Sequence, residues 1–126
     1  DRNTIIYGHH MRTGNMFGKL VNFKSDSYYQ KHDHMFIMTP QVTCRLELLC
    51  GAVVEPDDPI YSIDPTEEAL AACMRRSTFQ TKLDLPGEEA RLVTLSTCSY
   101  EFSHARFVVL GILKKYDTLG ITVMRT

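Results

Sequence analysis

The chain has 126 residues, enough for one domain or part of one, and its fourteen Lys and Arg against fifteen Asp and Glu leave a net charge of −1. That balance excludes a general surface for nucleic-acid backbones, which needs clustered excess positive charge, and a hydrophobic share of 44% excludes a disordered tail. No apolar run approaches the ~18 residues of a membrane span, and the opening Asp1-Arg2-Asn3 is no secretory signal, lacking a basic start and an apolar stretch.

Asn3–Tyr7 reads as a short strand ended by Gly8, and residues 16–21 as one or two helical turns. Residues 25–32 begin with cap-type side chains and read as a short helix. A strand over 35–39 stops at Pro40. A long strand follows over 42–54, with Leu46 and Leu48 on one face and Arg45 and Glu47 on the other. The Glu-Pro-Asp-Asp-Pro run at 55–59 is a loop by composition. Asp64-Pro65-Thr66-Glu67 is a helix start: Asp64 caps, Pro65 takes the first helical position, and Glu67 stands where a capping-box acid belongs. This helix should run to Arg76, with basic residues in its last turn. Residues 85–89 contain Pro86-Gly87 and read as a turn. Strands follow over 92–97, 106–113 and 120–124. No repeat, low-complexity tract or linker interrupts them. The pattern predicts a mainly β fold, a closed or nearly closed sheet with short helices in its connections.

None of the four cysteines (Cys44, Cys50, Cys73, Cys98) forms a CxxC pair, which excludes zinc-ribbon and thioredoxin-like readings. Six strand steps hold Cys44 and Cys50 roughly 20 Å apart, beyond the ~7 Å between Cα atoms that a disulfide allows. These two read as small half-buried hydrophobes, and Cys73, on its helix, reads likewise.

Cys98 stands apart. The connection 98–105 is too short for a parallel crossover, so the strands it joins should pair antiparallel. Cys98 then leaves one strand where Arg106 enters the next, about 5 Å away across the pair. A guanidinium beside a thiol favours the nucleophilic thiolate and offers a fixed fork of donors to a developing oxyanion. Gly8 would present His9 and His10 at a strand end, and a Cys–His pair is the minimum for acyl transfer through a thioester. Spacing alone does not bring His9 to Cys98, and an ordinary strand-end cysteine, a solvated arginine and a turn histidine fit it as well.

Three segments resemble one family. Asn3-Thr4-Ile5-Ile6-Tyr7-Gly8-His9-His10-Met11, with Met16-Phe17 after it, is similar to the histidine region of class B sortases. Thr94-Leu95-Ser96-Thr97-Cys98 resembles the TLSTC nucleophile segment of that class, and Ala105-Arg106-Phe107-Val108-Val109 its arginine strand. Tyr28-Tyr29-Gln30-Lys31-His32 matches the run before the following strand. The resemblance covers residues 3–113, with the segments in the family's order.

The resemblance implies a sortase-like closed β-barrel and a cysteine transpeptidase on the extracytoplasmic face of a Gram-positive cell membrane. Such an enzyme cleaves a C-terminal sorting signal after Thr and transfers the new carboxyl to an amine of peptidoglycan or a pilin. Cys98 would be the nucleophile, His9 the proton donor and base, and Arg106 the group holding the carbonyl or oxyanion. Ile60 and Tyr61 would hold the signal peptide, and Ser96 and Thr97 would orient it. His10 reads as a neighbour. Some members carry an acid one or two positions after the cysteine; here Ser99 and Tyr100 stand there and Glu101 comes third, without an assigned role. The family domain has helices, opening strands and a membrane anchor before its histidine segment, so residues 1–126 read as the C-terminal portion of a single catalytic domain. The competing readings are a thiol peptidase that releases to water and an inactive peptide-binding surface domain.

No cofactor is expected. His32, Asp33 and His34, with His9 and His10, read as surface or loop residues rather than a metal site, and Glu67-Glu68 as a helix-start charge pattern.

Overall fold

β-branched and aromatic residues at alternating positions commit much of the chain to strands. The computed structural model, which describes residues 2–8, 19–38, 40–116 and 122–124, contains β1 Asn3–Tyr7, β2 His34–Met38, β3 Thr43–Val54, β4 Leu92–Cys98, β5 Arg106–Tyr116 and β6 Thr122–Met124. They form one sheet in the order β1-β4-β5-β3-β2, with β6 also on β5. β1 and β4 run parallel; the other pairs, including the expected β4–β5 pair, are antiparallel. The mainly β architecture with short helices in its connections is the one expected.

Both sheet faces are covered, which explains the apolar run of β4 and β5. Leu92, Val108, Leu110 and Ile112 pack on one side with Leu49, Cys50, Ala52, Ile60, Leu70 and Cys73. Val93, Leu95, Phe107 and Val109 point the other way, onto Leu20, Phe23, Tyr29, Leu46, Leu48 and Phe79. The predicted face alternation holds over Arg45–Leu48. A register shift between Leu48 and Cys50 then resets it, so Leu48, Leu49 and Cys50 are all buried. Cys50 and Cys73, expected half-buried, are fully buried in the core.

Both expected helices form, with different capping. Residues 25–32 hold α1, Asp26–Lys31, preceded by a 3₁₀ turn over Val21–Lys24. Ser25 occupies the cap position, but its hydroxyl bonds to Ser27 rather than to the backbone. The second helix, α2, is Glu67–Arg75, and its cap is Thr66, whose Oγ1 accepts from Ala69 N at 3.1 Å. Asp64 is not the cap: its own N–H donates to Ser62 Oγ, and its carboxylate lies 3.6 Å from Arg2. Pro65 therefore precedes the helix, its carbonyl taken by Arg2 Nη1. Residues 16–18 of the predicted first turns lie outside the described residues.

The connection between β3 and β4 is stitched to β1. Buried Asn3 donates through Nδ2 to Ile60 O (3.2 Å) and Ser62 O (2.9 Å), and its Oδ1 accepts from Thr94 Oγ1 (2.9 Å). Arg2 donates to the carbonyls of Pro65, Gly87 and Ala90. These bonds fix the 3₁₀ turn Pro59–Tyr61 against the sheet.

Candidate active site

Three strand segments end at one rim. β4 finishes at Cys98, and the register sets Cys98 directly opposite Arg106, the first residue of β5. On the other side of β4, Tyr7 pairs with Ser96, and Gly8 N donates to Ser96 O at 2.9 Å. Tyr7, Gly8, Ser96, Thr97, Cys98 and Arg106 line a cleft of about 200 Å³. Cys98 is half-buried, so its thiol is held by the fold and still reachable. His9 and His10, one and two peptide bonds beyond Gly8, lie outside the described residues.

The turn joining Cys98 to Arg106 is ordered by its own backbone. Ser99 N donates to Ala105 O (2.9 Å) and Ala105 N to Phe102 O (3.2 Å). His104 adopts φ 65°, a left-handed conformation that a non-glycine residue takes only when the surroundings demand it. Arg106 Nη1 donates to the carbonyls of His104 (3.1 Å) and Ala105 (3.3 Å). No ion pair to a carboxylate occupies the guanidinium among the described residues, so its remaining donors are available to a ligand.

A second clamp holds the residue after the cysteine. Lys24 Nζ donates to Ser99 Oγ (2.8 Å) and Glu101 Oε2 (2.6 Å), and the Ser99 hydroxyl donates to Glu101. The Lys24 bond, with that of Ser99, holds the Glu101 carboxyl at about 2, so it is ionised at neutral pH. Glu101 thus has a structural partner set beside the cysteine. Sequence reasoning did not find Lys24, because 75 positions separate it from Ser99.

Of the residues expected to contact a peptide, Ser96 and Thr97 line the cleft. Ser96 is buried, and its Oγ lies 2.7 Å from Tyr61 Oη in a hydrogen bond. Burial raises the Tyr61 pKa, the Ser96 bond opposing it. Thr97 is also buried, and its Oγ1 has no hydrogen-bond partner among the described residues. Tyr61 stacks on Tyr7, ring centroids 6.0 Å apart with planes 16° from parallel. Tyr7 is 65% exposed, an aromatic wall that sequence reasoning passed over, although its place before Gly8-His9 marked it as a strand-end residue. Ile60 corrects the expectation: it is 0% exposed and packs in the core with Leu70 and Cys73, because the 3₁₀ turn sends it inward.

Among the described residues no group of three His, Cys, Asp or Glu side chains is placed to hold a metal ion. Asp33 bonds to His34 at 2.8 Å and to Lys82 at 2.9 Å. No helix among the described residues is long and apolar enough to cross a membrane.

No family model matches the chain. It is similar to sortase B of Listeria monocytogenes, with 29% identity over 120 residues, spanning 88% of this chain and 48% of the relative. In fold it is similar to sortase B of Staphylococcus aureus in a complex with substrate: TM-score 0.80, 25% identity, 93% of this chain and 57% of the other. It is also similar to a Streptococcus pyogenes class B sortase involved in pilus biogenesis: TM-score 0.73, 28% identity, 90% and 64%. The chain spans about half the length of the curated relatives it matches.

Proposed function

Because the chain is a relative of the class B sortases in both sequence and fold, we propose that it carries the catalytic centre of a cysteine transpeptidase acting at a Gram-positive cell surface. The observation that carries this reading is the direct opposition of Cys98 and Arg106 at the mouth of a cleft beside the end of β1.

In this mechanism His9 takes the Cys98 thiol proton, and the thiolate attacks the carbonyl carbon of a threonine in a sorting-signal peptide. Arg106 donates to the oxyanion that develops, in the manner of preorganised hydrogen-bond donors. The C–N bond breaks, and His9, the residue after Gly8, passes a proton to the departing amine. A thioester then joins the peptide to Cys98. A neutral amine, from a peptidoglycan precursor or a pilin, attacks that carbonyl and gives up a proton to His9 as it bonds; the C–S bond breaks, and His9 returns the proton to regenerate the Cys98 thiol.

The cleft walls support a bound extended peptide. Tyr7 lines the cleft with an exposed aromatic ring, which Tyr61 backs by stacking on it. Thr97 Oγ1, a buried hydroxyl without a partner among the described residues, is a polar group for a peptide to satisfy. Ser96 lines the cleft itself, its hydroxyl held by Tyr61.

The test incubates the purified protein and its Cys98→Ala variant with a panel of sorting-signal peptides, with and without an amine acceptor, and reads products by mass spectrometry. Cleavage after threonine, with ligation only when amine is present and none from Cys98→Ala, is the expected result. Cleavage without ligation would assign a thiol peptidase instead, and Cys98-independent products would overturn the reading.

A further inference from the structure

Two cysteines outside the cleft meet in the core. Cys50 lies on β3 and Cys73 on α2; both are fully buried, and their sulfur atoms are 2.7 Å apart. We propose that Cys50 and Cys73 form an intramolecular disulfide that staples α2 to β3.

Geometry supplies the first argument. A disulfide bond is about 2.05 Å long, and the two sulfur atoms already lie close to that separation. Surroundings supply the second. The pair is enclosed by Leu49, Val54, Leu70, Leu92 and Leu110, none of which offers a side-chain hydrogen-bond acceptor. As thiols, the two cysteines contact each other through their sulfur atoms. As a disulfide, the pair presents no S–H to this apolar site. Location supplies the third. The link closes a loop between positions 23 apart, and that loop contains Tyr61, the residue that stacks on Tyr7 and bonds to Ser96. The staple would hold the base of the segment that backs Tyr7 and Ser96, two residues of the cleft. Cys98, at the rim, stays outside the pair and free to react. None of this rests on the transpeptidase reading.

The reaction needs a disulfide oxidant, either a small molecule such as oxidised glutathione or a thiol–disulfide oxidoreductase. Two thiols become one S–S bond; two electrons and two protons pass to the oxidant, which leaves as two thiols. The Cys73 contact, and then burial, push the Cys50 thiol well above its ordinary range. Once the core has closed, this thiol is a poor attacking group and is shielded from reagents. The bond therefore forms while the chain is still folding.

The experiment refolds the reduced, denatured protein in a glutathione redox buffer, quenches with acid, and alkylates under denaturing conditions. Trypsin leaves both cysteines on one fragment, since no Lys or Arg lies between Arg45 and Arg75. A glutamate-specific protease cuts at Glu67 and Glu68 and separates them. The expected product is a Cys50–Cys73 cross-linked pair, lighter by two hydrogens than the two free-thiol peptides together, with Cys44 and Cys98 alkylated. The oxidised protein should melt about 10 °C above the reduced one, a shift that Cys73→Ala abolishes and Cys44→Ser preserves. Folded protein with both Cys50 and Cys73 alkylated, a cross-link to Cys44 or Cys98 instead, or a melting shift that survives Cys73→Ala would each overturn the proposal.

Discussion

Cys98 and Arg106 are directly opposed residues of neighbouring antiparallel strands, so the β4–β5 register alone sets a thiol beside a guanidinium. In the proposed transpeptidation the planar fork of Arg106 matters more than its charge, and lysine offers only a point charge. Arg106→Lys should therefore lower kcat about 100-fold while changing KM little, the loss expected for removing one oxyanion donor. Steady-state peptide cleavage checks this, with circular dichroism confirming that the variant is folded. Near-normal kcat would remove Arg106 from the oxyanion role.

Tyr61 and Ser96 share one hydrogen bond across two elements. Tyr61→Phe should cost about 1 kcal/mol of stability and Ser96→Ala about the same, because each strands the other's hydroxyl in a buried or half-buried place. The double variant should lose less than the sum, with a coupling of about 0.5–1.5 kcal/mol. Urea unfolding of the four proteins measures it, and strict additivity would show that the bond contributes nothing.

Asn3 has a larger effect on stability. Its side chain bonds to two carbonyls of the β3–β4 connection and accepts from Thr94, all inside the protein. Asn3→Leu leaves those groups without partners, and a loss of about 3 kcal/mol is expected. The same variant should loosen the turn carrying Tyr61 and raise KM for peptide. Chemical denaturation and kinetics read the two effects separately.

Gly111, in the middle of β5, tolerates no side chain. An added Cβ would lie 2.6 Å from Leu46 Cγ and 2.7 Å from the backbone oxygen of Glu47. The leucine can shift but the strand carbonyl cannot, so Gly111→Ala should destabilise by about 2–3 kcal/mol, as overpacking does. A thermal melt within a degree of the parent would contradict the β3–β5 register.

Acid should weaken the fold in a defined window. The bond to His34, then that to Lys82, holds the Asp33 carboxyl at about 2 against an ordinary 3.8. Lys24 and Ser99 do the same for Glu101, about 2 against 4.5. Both folded-state values are depressed, so the stability they add is complete above the unfolded values. It is lost as pH falls from about 4.5 through 2. Both groups are partly solvent-exposed, which limits each to about 0.5–1 kcal/mol. Melting temperature against pH should fall less steeply across this window in the Asp33→Asn/Glu101→Gln double variant.

Local pattern carried much of the outline. Alternation located β3, strand-sized apolar runs located β1, β4 and β5, and the short connection after Cys98 was enough to pair β4 with β5 antiparallel. The order Gly8-His9, Thr97-Cys98 and Ala105-Arg106 matched a family that shares the fold. These features were legible because strand formation and hairpin pairing depend on near neighbours. The α2 cap was misplaced from Thr66 to Asp64 because Arg2, sixty-two positions away, draws on the Asp64 carboxylate and the Pro65 carbonyl. Ile60 and Tyr61 looked alike as an apolar pair in a loop, yet the turn buries one and lays the other against Tyr7.

By itself, then, the sequence determined the mainly β class, the strand holding the cysteine and the strand holding the arginine. Only the tertiary structure decided that Tyr61 stacks on Tyr7, that Lys24 clamps Ser99 and Glu101, and that Cys50 meets Cys73. Each of these contacts joins residues far apart in the chain, and each depends on how the β3–β4 connection or the turn at Lys24 packs on the sheet. No local spacing encodes that packing, because it follows from burying both sheet faces at once.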